Sequence, residues 1–514
     1  MQIIGASWVM LCDEAFGIIK NGGVAYENGE IIEVGQYDAL VRKYRLADEA
    51  NNRREAESSA ESKKADSSDI DSSALESISA TFHHDSVLLP ALINAHIHFE
   101  FGGNTTSFDY GGFEAWLSSV MQKREGVLAL VQEMLARGIQ EQLHAGVGSV
   151  GAISSYGGDM EALAASPLKV VYFSEAIGSN PAMIDTMMSS FVERVERARK
   201  LAKNTRFAKP RFFPAVAIHS PYSVHSEFAK RVLEYARENL DAPGACGDSG
   251  SFGDAIVVSA HFLESSAERA WLESGKGWFH RFYTDILRVP NPAPMYDIDS
   301  FLRLFEGLKC ALVHGTHLNH AESTRLIDAG HSLITCPRSN RLLGGKMLDF
   351  GALDSRILQR LGIGTDGASS NANTNLLDEL RAGLFGMGGD LARWGGFGVA
   401  GDCGEAGGYK KAGDVTRDAY VANDCDANDS RAGDHKKSGL QNGLQNLAQI
   451  LLLAATKNGA QALGLNNGEL KKGKDADIAV FHIQGIADSS QPEVHFILLA
   501  KQVSALLING TPAI

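Results

Sequence analysis

Several imidazole and carboxylate side chains lie where they could bind one metal ion. His96 and His98 are two residues apart and follow the apolar run 87–93. Residues at that spacing on an extended strand share one face, so both rings can reach a single cation. Three further groups each follow an apolar run of their own: His261, His314 and Asp366. This combination is typical of a catalytic divalent metal site that keeps one position open for water.

The His-x-His pair is weak evidence by itself, because histidines packed for structural reasons are about as frequent. The same arrangement recurs, however, where other apolar runs of the chain end. Chance placement of the whole set is improbable, so the pattern favours a metal site over a structural pair.

Short apolar runs alternate with longer amphipathic segments and predict the elements that must position these groups. The strand candidates are residues 87–93, 148–153, 170–175, 212–218, 256–260, 311–314, 332–335 and 357–364. Helical periodicity is clearest over residues 128–145, 183–202 and 227–239. Eight strands that alternate with helices predict an α/β fold, a (β/α)8 TIM barrel, whose active site lies at the carboxyl ends of the strands.

Both ends of the chain have a different pattern, in which short apolar stretches alternate with turn signals. We expect residues 1–86 and 464–514 to form one small composite β-sandwich domain beside a barrel over residues 87–463. Two polar segments interrupt this plan. Residues 47–79 have the composition of a disordered insertion, and residues 395–439 read as an inserted loop or lid.

Composition excludes several classes of function. The net charge of −14 argues against nonspecific nucleic-acid binding, which needs a basic surface. The six cysteines are scattered, so neither a disulfide framework nor a thiolate zinc site is indicated. The sequence has neither a signal-like start nor a long apolar run, so we expect a cytoplasmic protein without membrane spans.

The motifs resemble those of the amidohydrolase superfamily, in the branch of chlorohydrolases, S-adenosylhomocysteine deaminases and aminofutalosine deaminases. They are LPALINAHIH over residues 89–98, HSPYS over 219–223, HFLE over 261–264, HGTHL over 314–318, CPRSN over 336–340 and GTDGASSN over 364–371. The resemblance implies one divalent metal ion, zinc or iron, with the ligands His96, His98, His261 and Asp366. It also implies catalytic roles for Glu264, His314 and Asp366.

These implied roles agree with elementary chemistry. A bound divalent cation lowers the pKa of its water toward neutrality. Asp366 or His314 could accept the water proton, and Glu264 could pass a proton to a ring nitrogen of the substrate. The alternative for Glu264 is a structural one, since a carboxylate near Ser265 could simply stabilise the start of a helix.

Residues 261–282 are most similar to the aminofutalosine deaminases of menaquinone biosynthesis, which implies an adenine nucleoside that carries an aryl carboxylate. His219 is expected to face the substrate, and Arg338 is one candidate partner for the carboxylate. Trp271, Trp278, Phe279 and Phe282 could wall the aryl ring, although packing of a helix against the barrel is the alternative and is favoured for at least two of them.

Other functions stay open at this point. Adenosine, methylthioadenosine or S-adenosylhomocysteine could be the substrate, and a chlorohydrolase-type dehalogenase would use the same metal. A non-catalytic barrel scaffold is disfavoured because every expected ligand is present. The resemblance makes a homodimer plausible.

Overall fold

The computed structural model describes residues 1–47, 78–102, 105–243, 256–387, 389 and 432–514. Within these ranges the strands form two sheets, one of eight strands and one of seven. The predicted insertion at 47–79 lies outside the described residues except at its edges. Most of the insertion predicted at 395–439 lies outside them too, and its last residues belong to a helix.

Both ends of the chain build the seven-stranded sheet. Its strands are β1 Gln2–Met10, β2 Ile18–Glu27, β3 Glu30–Gln36, β4 Ser79–Pro90, β13 Ile478–His482, β14 Ala505–Ile508 and β15 Thr511–Pro512. Their order is β15-β14-β13-β4-β1-β2-β3, so C-terminal strands pair with β4. Apolar side chains from both ends form one buried cluster on this sheet, including Val24, Leu88 and Ile478. The prediction that the two ends share one β domain is confirmed.

The eight-stranded sheet is the predicted barrel. Its strands are β5 Leu92–Ile97, β6 Val147–Ser154, β7 Lys169–Ala176, β8 Phe212–Ile218, β9 Val257–Phe262, β10 Lys309–His314, β11 Ser332–Thr335 and β12 Leu361–Ile363. Neighbours in this order pair in parallel. Most of their residues are buried, as expected for parallel strands that are covered on both faces.

The seam between β12 and β5 brings the two ends of the barrel together. The backbone amides of Thr365 and Asp366 both donate to the carbonyl of His96, each at 3.1 Å. The side chain of Asn94 donates to Thr365 Oγ1 at 2.8 Å. The backbone of His96 in β5 is thus hydrogen-bonded to the backbone of Asp366, which follows β12. Both residues are candidate ligands.

The predicted first barrel strand, residues 87–93, is wrong in its limits. The apolar run is divided between the two sheets, because β4 ends at Pro90 and β5 begins at Leu92. Pro90 has no amide hydrogen, and the amide of Ala91 donates to Asp477 of the terminal sheet at 2.9 Å. Leu92 then donates to Gly146 beside β6. Continuous hydrophobicity could not reveal the change of sheet at Ala91.

Helices lie around the barrel and, in the case of residues 37–47, against the seven-stranded sheet. They are α1 37–47, α2 Phe113–Leu128, α3 Val131–His144, α4 Met160–Ala165, α5 Ile184–Lys203, α6 Ser226–Asn239, α7 Ser266–Ser274, α8 Trp278–Arg281, α9 Ile298–Arg303, α10 His320–Asp328, α11 Pro337–Gly344, α12 Leu376–Gly386, α13 Ala432–Ala454, α14 Lys457–Leu463 and α15 Pro492–Leu499. The predicted helices 183–202 and 227–239 match α5 and α6 to within one residue. In α6 the buried residues Phe228, Val232 and Ala236 lie on one face at helical spacing.

A buried ion network joins the terminal sheet to the barrel. Lys169, at the start of β7, places Nζ 2.6 Å from a carboxylate oxygen of Asp475 and 2.8 Å from one of Asp477. Asp477 also accepts a hydrogen bond from Asn467 and from the amide of Asn509.

Within the described residues, no helix has the length and apolar character needed to cross a bilayer.

Candidate metal centre and active site

Three histidines meet at the carboxyl ends of β5 and β9. His96 is fully buried, and neither of its ring nitrogens has a hydrogen-bond partner among the described residues. The Nε2 atoms of His98 and His261 lie 3.2 Å apart. One ring nitrogen from each of the three histidines lies within 4.8 Å of the others. Nitrogens that face each other without a proton donor between them suit a shared cation.

Asp366 brings a carboxylate to the same place. Its Oδ1 lies 3.7 Å from His96 Nε2 and 3.6 Å from His98 Nε2. The residue has φ +59°, a left-handed conformation that a non-glycine residue adopts at some cost. Hydroxyl donors hold the carboxylate in place, since Ser339 and Ser370 each donate to Oδ2 at 2.8 Å.

A backbone carbonyl sets the orientation of the His261 ring. His261 Nδ1 lies 2.8 Å from the carbonyl oxygen of His219, which can only accept, so Nδ1 carries the proton. The lone pair is then on Nε2, which faces His98. Fixing the outer ring nitrogen in this way is how proteins direct a histidine toward a metal.

The local electrostatics favour neutral imidazoles and an ionised carboxylate. Burial, together with the neighbouring imidazoles, lowers the pKa of His98 to about 3 and that of His261 well below its usual value. Burial alone would raise the pKa of Asp366, but the adjacent histidines hold it well below the usual range. These are the protonation states that metal ligands require, so the four residues fit a divalent ion.

Glu264 and His314 lie beside this cluster. His314 Nε2 is 3.7 Å from Glu264 Oε1, and its other ring nitrogen is 2.8 Å from Asn340 Oδ1. Since that amide oxygen accepts only, the proton of His314 is on Nδ1. Burial, with Asp366 nearby, raises the pKa of Glu264 well above its ordinary value. A protonated carboxyl at this position can donate a proton to a bound molecule.

The residues predicted to contact substrate differ in their surroundings. His219 follows β8. Its ring centre lies 5.0 Å from that of His261 in a tilted arrangement, and its Nδ1 lies 2.6 Å from Ser223 Oγ. Trp271 is fully buried in α7 and stacks on Tyr283 at 5.4 Å. His219 therefore lies at the cluster, whereas Trp271 packs its helix against neighbouring aromatic rings.

Arg338 has a partner for each nitrogen of its guanidinium group. Nε donates to Glu379 at 2.8 Å, and the two terminal nitrogens donate to Asn373 and to the carbonyl of Asn375. The side chain thereby ties the start of α11 to the segment that precedes α12. Its predicted contact with a substrate carboxylate would require it to share these donors.

Sequence reasoning missed a buried carboxylate next to the cluster. Glu175 ends the predicted strand 170–175, and its Oε1 lies 3.9 Å from His261 Nδ1. Its Oε2 accepts from the hydroxyl of Ser155. Burial raises the pKa of Glu175 to about 8. The rule that selected His261 and Asp366, a polar group at a strand end, would have selected Glu175 as well.

An aromatic group beside His219 was also missed in part. Tyr222 and Phe279 stack with ring centres 4.3 Å apart, and Phe113 lies 6.1 Å from Tyr222. His219 is 5.9 Å from Tyr222 in an edge-on arrangement. Of the four aromatic residues considered from the sequence, Phe279 stacks on Tyr222, and Trp278 and Phe282 lie 5.0 and 6.0 Å from Phe279 between ring centres. Tyr222 belonged to the HSPYS motif, which was the available signal.

Comparison with known proteins agrees with this geometry. The chain matches the amidohydrolase family over residues 87–390 and 440–513. It is 32% identical over 512 residues to an adenosine deaminase of Helicobacter pylori, covering 99% of this chain and 98% of that protein. It is 34% identical over 435 residues to an aminodeoxyfutalosine deaminase of a Nitratiruptor species, covering 84% and 88% of the two chains.

A solved structure extends the agreement to the whole chain. The crystal structure of Helicobacter pylori aminofutalosine deaminase in complex with methylthio-coformycin superposes with a TM-score of 0.74 at 30% identity and covers all of both chains. Family match, full-length relatives and the ligand geometry all lead to one conclusion. The chain belongs to the amidohydrolase family.

Proposed function

We propose that this chain is a metal-dependent hydrolytic deaminase that converts the 6-amino group of aminofutalosine, an adenine nucleoside, to an oxo group and releases ammonia in menaquinone biosynthesis. The enzyme class, hydrolytic deaminase, is shared by relatives that cover nearly the whole chain. One observation carries the proposal. Ring nitrogens of His96, His98 and His261 and the carboxylate of Asp366 converge beside Glu264, and burial raises the pKa of Glu264 well above its ordinary value.

The chain's own residues account for binding and for proton movement in this proposal. His96, His98, His261 and Asp366 would hold the ion, which we propose to be zinc or iron. When bound, the ion supplies Lewis acidity that makes a coordinated water acidic near neutral pH. The Asp366 carboxylate or the Nε2 atom of His314 accepts the water proton.

Glu264 acts on the substrate ring, whereas Asp366 and His314 act on the water. Its carboxyl donates a proton to a ring nitrogen, which makes the adjacent amino-bearing carbon more electrophilic. Water adds to that carbon as Asp366 or His314 takes one of its protons, and that residue then passes the proton to the amino group, which departs as ammonia. The remaining hydroxyl proton returns to the Glu264 carboxylate as the oxo group forms. The product is the oxo heterocycle.

Substrate contacts form a further part of the proposal. His219 contacts a ribose hydroxyl, Trp271 supports the wall for the aryl ring, and Arg338 pairs with the carboxylate by sharing its donors. We also propose the domain limits 1–86, 87–463 and 464–514, with the first boundary moved to Ala91, where the chain passes from β4 to β5. A homodimer and a cytoplasmic location are proposed as well.

A substrate panel tests the proposal directly. Purified protein is incubated with aminofutalosine, adenosine, methylthioadenosine and S-adenosylhomocysteine while ammonia release and loss of the adenine absorbance are followed. We expect the highest kcat/KM with aminofutalosine. Adenosine is the second candidate, because the full-length Helicobacter relative carries that name. Equal or faster turnover of adenosine or S-adenosylhomocysteine would overturn the substrate assignment, and absence of ammonia from all four would overturn the deaminase.

A further inference from the structure

We propose that Glu268 is a positioning residue that fixes the backbone from which the Glu264 carboxyl reaches the reacting ring. This inference rests on the proposed function, in which Glu264 is the proton donor. The two residues are four positions apart, and the Glu268 carboxylate accepts a hydrogen bond from the main-chain amide of Glu264.

The position of Glu268 at the start of α7 resembles that of an ordinary helix cap. Ser265 is the N-cap residue, and its hydroxyl accepts from the amide of Glu268 at 3.1 Å. In an ordinary capping box the glutamate at this position returns to the amide of the N-cap residue itself. Glu268 reaches further back, because its two carboxylate oxygens accept from the amides of Leu263 at 2.9 Å and Glu264 at 3.0 Å.

The next strand of the barrel provides an internal comparison. There Asn319 caps α10, and Glu322 accepts from the amide of Asn319 at 2.9 Å, which is the ordinary arrangement. Glu322 is also paired with Arg269 through two hydrogen bonds. The two helices begin alike in sequence, so the longer reach of Glu268 is specific to the turn that carries Glu264.

That turn needs external support. Leu263 has φ +50°, a left-handed conformation that is costly for a branched side chain. Four backbone groups of the turn have partners: the amides of Leu263 and Glu264 donate to Glu268, and both carbonyls accept from the hydroxyl of Thr316, at 3.3 and 2.9 Å. The amide of His317 donates to Leu263 as well. The peptide units on both sides of Glu264 are therefore held in place.

The surroundings of Glu268 fit a positioning role better than a purely stabilising one. The side chain is fully buried, and within the described residues no ion pair includes it. Burial raises the pKa of Glu268 to about 8, so its charged form is held at a cost that an uncharged capping residue would avoid. The cost is understandable if the two amides must be held in one orientation for catalysis.

A double-mutant cycle tests the inference. The proteins are the wild type, Glu268→Gln, Glu264→Gln and the double variant, each with its metal content, Tm, kcat and KM measured on the best substrate of the panel. A glutamine can accept only one of the two amide hydrogen bonds well. We expect Glu268→Gln to lower kcat by about 10- to 100-fold with little change in KM or metal content. We expect Glu268→Gln to lower Tm both in the wild type and when it is added to Glu264→Gln. In the double variant, however, it should leave the residual kcat of Glu264→Gln unchanged.

Each outcome has one meaning. If Glu264→Gln keeps wild-type kcat, the proposed function fails in its proton donor. If Glu264→Gln loses activity but Glu268→Gln does not, or if the two losses in kcat multiply in the double variant, the positioning role is wrong while the proposed function stands. Glu322→Gln is the matched control, which we expect to lower Tm without lowering kcat.

A second variant covers the case in which Glu268→Gln does not fold. Thr316→Val keeps the side-chain volume but removes the hydroxyl that donates to the Leu263 and Glu264 carbonyls. Thr316→Val should lower kcat as Glu268→Gln does. When it is added to Glu264→Gln, it should leave the residual kcat unchanged. Wild-type kcat in Thr316→Val would overturn the inference.

Discussion

At the scale of single residues, different neighbours give two chemically similar buried groups different tasks. Asp366 and Glu264 are both buried carboxyl groups, yet their pKa values move in opposite directions. Burial alone would raise the pKa of Asp366, but the rings of His96, His98 and His314 lower it. For Glu264 burial itself is the main cause, and the negative Asp366 adds to it. One group is thus suited to bind a cation and the other to donate a proton.

This difference predicts that two substitutions separate metal binding from turnover. Glu264→Gln should retain the metal and lose kcat by about 10²- to 10⁴-fold, because the amide keeps the shape but cannot donate the proton. Asp366→Ala should lose both, because it removes a ligand. Metal content after dialysis and steady-state kinetics measure the two properties. Glu273→Gln, on the exposed face of α7, is the control and should keep both.

The contrary result is equally clear. Normal turnover in Glu264→Gln would remove it from the proton path, and full metal content in Asp366→Ala would remove Asp366 from the ligand set. Either result would leave the family assignment intact, because that assignment does not depend on a single side chain.

The sequence predicts residues whose position along a strand determines their neighbours. His96, His98, His261 and Asp366 were found because each lies near the end of a strand. Glu268 could not be found in this way, since its role depends on a reach of four and five residues back into a left-handed turn. The contacts of Arg338 depend on a loop far along the chain and were equally invisible.

At the scale of elements, the seam between β5 and β12 determines how closely two ligands approach. Gly364 lies directly after β12, where a Cβ atom would be 2.7 Å from the carbonyl oxygen of His96 and 2.8 Å from its Cβ. The backbone at Gly364 cannot move away from His96 without separating β12 from β5. The absence of a side chain at position 364 is what allows Asp366 and His96 to meet.

We therefore expect Gly364→Ala to weaken metal binding although it removes no ligand. The added methyl group should separate β12 from β5, lower stability by about 1–3 kcal/mol and reduce metal content. Thermal unfolding with and without added metal, together with metal analysis, measures both effects. Gly126→Ala is the control, because a Cβ atom at that position in α2 meets no atom within 4 Å. Unchanged metal content in Gly364→Ala would show that the seam can yield without moving the ligands.

Element limits were predictable where periodicity or hydrophobicity changes at the boundary. The limits of α5 and α6 followed from their apolar faces. The division of residues 87–93 between two sheets did not, since the residues on both sides of Ala91 are equally apolar and buried. The boundary depends on the strands with which each part pairs. β4 pairs with β13, and β5 pairs with β6.

At the scale of the whole molecule, Lys169 connects two parts of the fold. It is almost fully buried between Asp475 and Asp477, which belong to the segment leading into β13. Lys169→Met should lower the free energy of unfolding by about 3–5 kcal/mol, because the two carboxylates lose their shared cation. Urea denaturation measures the change. Lys230→Met, at an exposed position in α6, should have little effect, and equal stability of the two variants would show that the network contributes nothing.

The seven-stranded sheet contains strands from both ends of the chain. The two predicted insertions fall largely outside the described residues. Sequence patterning indicated the shared sheet because both ends had the same strand-and-turn character. It could not indicate Lys169, whose partners lie 306 and 308 positions away.

The seam between β5 and β12 also bears on when the chain could bind the proposed ion during synthesis. Asn94 and Thr365, which hydrogen-bond across it, are 271 positions apart. A chain that is still emerging from the ribosome has His96 and His98 long before it has Asp366, and it lacks the strand that must pair with β4. Such a nascent chain exposes unpaired strand edges over most of its translation, when association with other chains is the main hazard. We therefore expect metal loading to be a late event, since a polypeptide stalled before residue 366 lacks one of the four proposed ligands.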